Sequence, residues 1–393
     1  MTPGTLARHL FIIHPEFRLD ELGPRQCRQA VVRALLDDLA EQGDGLLTIA
    51  EAGRSLEGRP VPLVSCGCGD KRVLLWSQMH GDEPTATLAL LDIFRFLTLS
   101  AGRESWIRRM LDEITIFAVP MLNPDGAERV QRRTALGIDM NRDARVLVTP
   151  EANILRSLQR RLKPRFGFNL HDQELSSVGD TTKVTAVALL APAMDARKSV
   201  PLVRVRAMRV AALIARVLAP VAGGHIARYD DEYESRAFGD NMQSWGTSTV
   251  LIESGHWPLD REKNFIRRLN FVAILSALRA IGDGSYQDVD LDHYRELPEN
   301  GKRLFDIIVR DVVVKHRSGA RQTADIGLMI ETAHNRHGMR IVVTVKDLGD
   351  LGTFGALEVI QGGKRTVTAD RVAAERVVPL TRFLDELQLY HPV

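Results

Sequence analysis

Residues 74–90 read LLWSQMHGDEPTATLAL. An apolar run climbs to Met79 and His80, a glycine and two acids follow, and Pro84 opens a stretch with helical spacing. A buried strand handing over to a helix across a glycine turn is the repeating joint of α/β domains, whose chemistry gathers at strand ends. Pro84 suits the start of the helix, where a missing N–H costs nothing. His80 and Glu83 therefore lie three apart across a turn that lets both side chains reach one point, with Gly81 removing a side chain from the crowded middle.

Around this joint the chain alternates. The periodicity of Val31, Val32, Leu35, Leu36 and Leu39 predicts a helix over Arg25–Glu41. LLTIAEA reads as a strand, while VPLVSCG and RVLLWSQM flank a Gly/Asp turn and carry a hairpin signature. EITIFAVPML is a buried strand that ends in NPDG, a turn. Helix PEANILRSLQRRLK precedes strand FGFNL, which ends on His171. VTAVALLAP is a strand, 202–219 a helix, STVLIES a strand, and EKNFIRRLNFVAILSALRAIG a helix. This alternation implies an α/β fold, a mixed and mostly parallel sheet with helices on both faces. Three polar residues follow apolar strands: His80, His171 and Glu253.

A chain of 393 residues exceeds one ordinary core, so two domains are expected. The sequence divides into a helical extension (1–44), an α/β domain (45–284), a polar linker (285–300) and a small β-rich domain (301–393) of β-branched segments separated by turns. His334 and His337 form an H-x-x-H pair there, read as a polar hairpin loop. Lys+Arg total 52 against 50 Asp+Glu, which gives no electrostatic reason to expect nucleic acid. Three cysteines make no disulfide framework, and Cys66-Gly67-Cys68 is one residue short of the CxxC spacing. LFII near the N-terminus is too short for a signal-peptide core, and no uncharged apolar run reaches the about 18 residues of a membrane span. A cytoplasmic protein without membrane partners is expected.

Catalytic zinc sites use three protein ligands and keep a fourth position for water. His80, Glu83 and His171 are candidates of the right type. Glu253 ends a strand with no other charge. A carboxylate there is either a paired structural acid or a general base acting on metal-activated water.

The ordered set resembles a family. His-x-x-Glu (80–83), Asn-Pro-Asp-Gly (123–126), an arginine ahead of Asn141-Arg142, then His171, a tyrosine, and a glutamate on a buried strand is similar to the zinc metallocarboxypeptidases of the carboxypeptidase A type, in a bacterial-type branch. The segment EAGRSLEGRPVPLVSCG also resembles the stretch before the first ligand in that family, and the likeness runs over roughly 45–280. The resemblance implies an eight-stranded sheet, one Zn²⁺ per chain on His80, Glu83 and His171, and Glu253 as general base and later proton donor. It implies that Arg132, with Arg133 as the adjacent alternative, polarises the scissile carbonyl. Asn141 and Arg142 then hold the substrate's terminal carboxylate, a bidentate pairing that suits guanidinium. Tyr233, with Tyr229 as competitor, covers the substrate, and Asp240 lines the pocket for the leaving side chain. The expected activity is zinc-dependent removal of C-terminal amino acids from peptides.

Departures matter as well. Digestive members carry an arginine where this chain has Asp82, and Asp143 follows the carboxylate-binding pair. Those acids either favour a basic substrate or hold a ligand imidazole in place; the second role is expected for at least one of them. HGDE also resembles the aspartoacylase and succinylglutamate desuccinylase group. The alternative is therefore a zinc amidohydrolase of N-acyl amino acids or of cell-wall peptides. The 44 residues ahead of the α/β domain are too short for a cleavable pro-domain, so no zymogen step is expected. A non-catalytic binding protein would have lost a ligand or the base, and all four are present. Oligomeric state and leaving residue stay open.

Overall fold

The apolar runs at 73–76, 114–119, 166–170 and 248–252 become the middle of one sheet. The computed structural model describes residues 2–335 and 338–386, so His337 lies outside the described residues. The chain forms two units, one of residues 1–174 and 185–300, the other of residues 175–184 and 301–393.

In the first unit, in chain order, come α1 (Pro3–Phe17), α2 (Gln29–Gln42), β1 (Thr48–Arg54), β2 (Pro60–Cys66), β3 (Lys71–Ser77), α3 (Thr85–Ser100), α4 (Ser105–Glu113), β4 (Ile114–Val119), α5 (Pro124–Arg129), α6 (Pro150–Leu162), β5 (Phe166–Asp172), β6 (Val187–Leu190), α7 (Leu202–Ala222), β7 (Ile226–Arg228), α8 (Phe238–Ser244), β8 (Ser248–Ser254) and α9 (Asn264–Asp283). The eight strands lie in the order β1-β2-β4-β3-β5-β8-β6-β7. The central β4, β3, β5 and β8 run parallel, and β1, β2 and β6 supply the antiparallel pairings. Successive residues of β3 face opposite sides. Val73 and Leu75 join the core under α1–α4, α7 and α9, while Leu74 and Trp76 join the core under α6 and α8. A strand buried on both faces cannot alternate polar and apolar, which is why it reads as a continuous apolar run.

The hairpin read into VPLVSCG and RVLLWSQM does not form. β4 lies between β2 and β3, antiparallel to one and parallel to the other. The intervening turn passes beneath the α4–β4 junction instead: Cys68 N donates to Leu111 O at 2.8 Å. A Cβ on Gly69 would lie 1.9 Å from the Glu113 carbonyl carbon. The two turn glycines thus serve a close backbone crossing, and the hairpin is instead β1–β2.

Residues 285–300 are not an extended linker. Tyr286, Val289 and Tyr294 are buried in the main core, and Ala191 N donates to the Tyr294 hydroxyl at 2.9 Å. The N-terminal stretch holds two helices, and α1 is tied down by a buried polar cluster. Asp92 of α3 accepts from Leu19 N (3.1 Å) and from Arg267 Nε and Nη2 (2.6 and 2.5 Å), with His14 Nε2 at 2.9 Å.

In the second unit β9 (Leu304–Lys315), β10 (Arg321–Asn335), β11 (Gly338–Gly349), β12 (Gly355–Gln361), β13 (Thr366–Thr368) and β14 (Val377–Pro379) form one sheet. Pairing is antiparallel along β9-β10-β11-β14, but β12 and β13 run parallel to β9. Residues 175–184 join this unit: Arg303 N donates to Ser177 Oγ at 3.2 Å, and Val178 and Val184 are buried. No single helix among the described residues is long and apolar enough to cross a membrane.

Candidate metal centre and cleft

Past the end of β3, Gln78 turns the chain through the left-handed region at φ 50°. Its side chain fixes the corner, with Nε2 donating to Gly81 O (2.9 Å) and Oε1 accepting from Thr87 Oγ1 (2.9 Å). At Gly81 a Cβ would stand 2.0 Å from the Gly126 carbonyl carbon, so the corner closes only around glycine. This aims His80 and Glu83 inward. His171 sits one strand over, near the end of β5, in register with Glu253 of β8.

His80, Glu83 and His171 are all buried, and their ligand atoms lie within 4.8 Å of one another. His80 Nδ1 is 2.7 Å from Glu83 Oε1, His171 Nδ1 is 2.8 Å from Glu83 Oε2, and the two Nδ1 atoms are 3.2 Å apart. Behind His80, Asp139 Oδ1 stands 3.1 Å from Nε2. A proton held on Nε2 by that carboxylate leaves the Nδ1 lone pair directed into the cluster. Two imidazole nitrogens and a carboxylate converging in a dry corner form a donor set that fits a divalent cation, and two histidines with one glutamate fit zinc first. Burial disfavours charge on His80, but Glu83 and Asp139 outweigh it and raise the imidazole to about 9. Burial also works against the Glu83 carboxylate, and the two histidines overcome it and hold its pKa well below the usual range.

Glu253 is 7% exposed, and its carboxylate forms no hydrogen bond among the described residues. Burial, reinforced by repulsion from Glu83, pushes its carboxyl up to about 8. A cation beside it would favour the ionised form, the form a base needs.

The structure brings Arg132 to the cluster. Its Nη1 lies 3.0 Å from Glu83 Oε1 and 3.0 Å from His80 Nδ1, and Nε and Nη2 each lie 3.2 Å from Asp139 Oδ2. Arg133 turns away and donates to Gly137 O at 3.1 Å. Asn141 Oδ1 accepts from Phe238 N at 2.9 Å, and Arg142 is half-exposed with Nη1 donating to Asn141 O at 2.7 Å. The two tyrosines separate. Tyr229 lies in the field of Glu253, Arg132 and Glu83, and burial first, then those carboxylates, raise its hydroxyl to about 12. Tyr233 makes no side-chain hydrogen bond among the described residues. Asp240 is buried in the first turn of α8 and accepts from Glu234 N at 3.3 Å.

Neither acid expected to steady a ligand histidine does so. Asp143 accepts from Val148 N, Thr149 N and Thr149 Oγ1 at 2.8–2.9 Å and organises its own loop, while Asp82 is exposed. Asp139 holds His80 instead, and sequence reading missed it. Its local signal, an aspartate accepting from the amide two residues on (Asn141 N, 2.9 Å), is that of an ordinary turn.

Residues 32–175, which span all three candidate ligands, match the family model described as zinc carboxypeptidase. That segment, little more than a third of the chain, is similar to the zinc carboxypeptidase family. Among curated proteins, Carboxypeptidase 2 of Trichophyton rubrum is 27% identical over 182 residues, 44% of this chain and 31% of that one. Carboxypeptidase E of Caenorhabditis elegans is 31% identical over 135 residues, 29% of each chain. The chain therefore spans less than a third of the length of these relatives. Among solved structures, a metallo-carboxypeptidase from Burkholderia cenocepacia aligns over 64% of this chain and 68% of that one, with a TM-score of 0.52 at 19% identity. That likeness shows the zinc carboxypeptidase fold, consistent with the eight-stranded mixed sheet.

Proposed function

We propose that the protein hydrolyses peptides at their C-terminal bond with one zinc held by His80, Glu83 and His171. The observation that carries the reading is the convergence of two Nδ1 atoms and a buried carboxylate, with Arg132 against them and Glu253 in register beside His171. Zinc in such a site supplies Lewis-acid polarisation of a carbonyl and acidifies water.

The chain's own residues do the rest. The Arg132 guanidinium, half-exposed and braced by Asp139, donates to the oxygen on which negative charge develops. A Glu253 carboxylate oxygen takes the proton of the attacking water and returns it to the departing amine nitrogen, so one group serves as base and then as acid. The neighbouring Tyr229 hydroxyl stays protonated and can donate to the bound peptide. Arg142, with the Asn141 amide, receives the terminal carboxylate.

The test offers zinc-loaded protein a pool of free-carboxyl peptides, their C-terminal amides and N-acyl amino acids, with Glu253→Gln as blank and products read by mass spectrometry. Loss of single residues from the free-carboxyl peptides alone supports the reading. Turnover of N-acyl amino acids alone overturns it in favour of a deacylase.

A further inference from the structure

Beside Arg142, a polar cluster brings in two side chains, Glu234 and Arg236, that the chemistry above does not use. The segment 234–238 is stitched to the loop 139–144, with Phe238 N donating to Asn141 Oδ1 at 2.9 Å and Ala144 N to Arg236 O at 3.0 Å. At that seam one carboxylate meets two guanidiniums. Arg236 donates Nε to Glu234 Oε1 (2.9 Å) and Nη2 to Oε2 (2.6 Å), and its backbone N also donates to Oε1 (3.0 Å). Arg142 Nε stands 3.4 Å from the same Oε2. All three side chains remain partly open to solvent, Arg236 most at 57%.

We infer that Arg142 and Arg236 together form a two-arginine seat for the substrate's terminal carboxylate, and that Glu234 is the chain's own carboxylate resting on it. This rests on the function proposed above and adds a binding residue, Arg236, to it.

Two guanidiniums within reach of one carboxylate oxygen repel each other, and Glu234 offsets that repulsion, so both are held in place before substrate arrives. Each retains N–H groups not spent on Glu234 or Asn141. The trio carries one net positive charge, since Glu234 stays ionised: Arg236 foremost, with help from Arg142, holds its carboxyl down to about 2. A single incoming carboxylate neutralises the trio. The seat also lies near the centre: Asp139, which holds His80, is in the field of both arginines.

The experiment measures steady-state kinetics of the zinc-loaded full chain on an N-acetyl dipeptide with a free carboxylate. Calorimetric titration of the same dipeptide into metal-free protein runs beside it. Arg236→Ala should raise KM about tenfold and change kcat less than about threefold, with Arg236→Lys regaining part of the loss. Glu234→Gln should act in the opposite sense, lowering KM by an amount that shrinks as salt is added. An unchanged KM in Arg236→Ala overturns the inference. So does a rise in KM in Glu234→Gln equal to that in Arg236→Ala, which would make the trio a structural clasp. If no free-carboxyl peptide is cleaved by the unaltered protein, the parent reading fails, and the order of affinities in the titration decides the seat by itself.

Discussion

Asp139→Asn separates holding a ligand from holding a loop. Asp139 Oδ1 takes His80 Nε2 (3.1 Å) and Asn141 N (2.9 Å), while Oδ2 takes Arg132 Nε and Nη2 (3.2 Å each). An amide has a single oxygen. His80 is buried and Arg132 is 43% exposed, so the oxygen should stay with His80 and the NH₂ should face Arg132. Water replaces the lost Arg132 pairing, which should cost under about 1 kcal/mol of fold stability. The bond to His80 survives but is no longer charge-assisted, which roughly halves its strength and weakens the imidazole as a ligand. Loss of such a supporting carboxylate typically raises a metal's dissociation constant about 10–100-fold, or about 1.4–2.7 kcal/mol. Competition against a chromophoric chelator measures the affinity, and thermal unfolding of the metal-free protein measures the fold. Unchanged zinc affinity would refute the reasoning. So would a loss of metal-free stability as large as the loss of binding.

Three further outcomes are expected. Glu253→Gln should cut hydrolysis about 10²–10⁴-fold while bound zinc, measured by atomic absorption, stays at one per chain; loss of the metal would show that Glu253 is needed to hold it. Arg267→Met should destabilise the first unit by about 3–5 kcal/mol in denaturant melts, because Asp92 would keep a buried charge without its guanidinium; a change under about 1 kcal/mol would contradict that. Burial raises Asp240 from 3.8 to about 7, so between those values the folded chain binds a proton that the unfolded chain has released. This contribution to stability is full below about 3.8 and falls as pH rises to about 7; Asp240→Asn should gain on the unaltered protein across that window, and parallel melting curves would refute it.

The sequence was most legible where strands are buried on both sides. A polar residue at the end of such a strand has no ordinary reason to be there, so His80, His171 and Glu253 stood out. It was least legible where the decisive contact is distant. The turn between β2 and β3 looks like a hairpin until β4, more than forty residues on, slides between them. Asp139 meets an imidazole 59 residues earlier through a side chain whose local pattern is only a turn. Spacing favoured Tyr233 over Tyr229, four residues earlier, whereas the fold puts Tyr229 in the field of Glu253. The polar stretch 285–300 hid its anchors because Tyr286 and Tyr294 are isolated aromatics without periodicity. The second unit was legible as turn-separated β segments, but nothing in residues 175–184 marked them as part of it.

That short detour changes the covalent topology. The backbone crosses between the two units three times, after residues 174, 184 and 300. A single proteolytic nick at 300–301 would therefore cut the one covalent link to residues 301–393 and leave residues 175–184 on the backbone of the first unit. The ten residues left behind would carry Val178 and Val184 with no sheet of their own to bury them. On a ribosome the same ten residues emerge long before the strands from 304 onward that complete their unit, so they must wait for those partners, beginning four residues downstream of a candidate metal ligand.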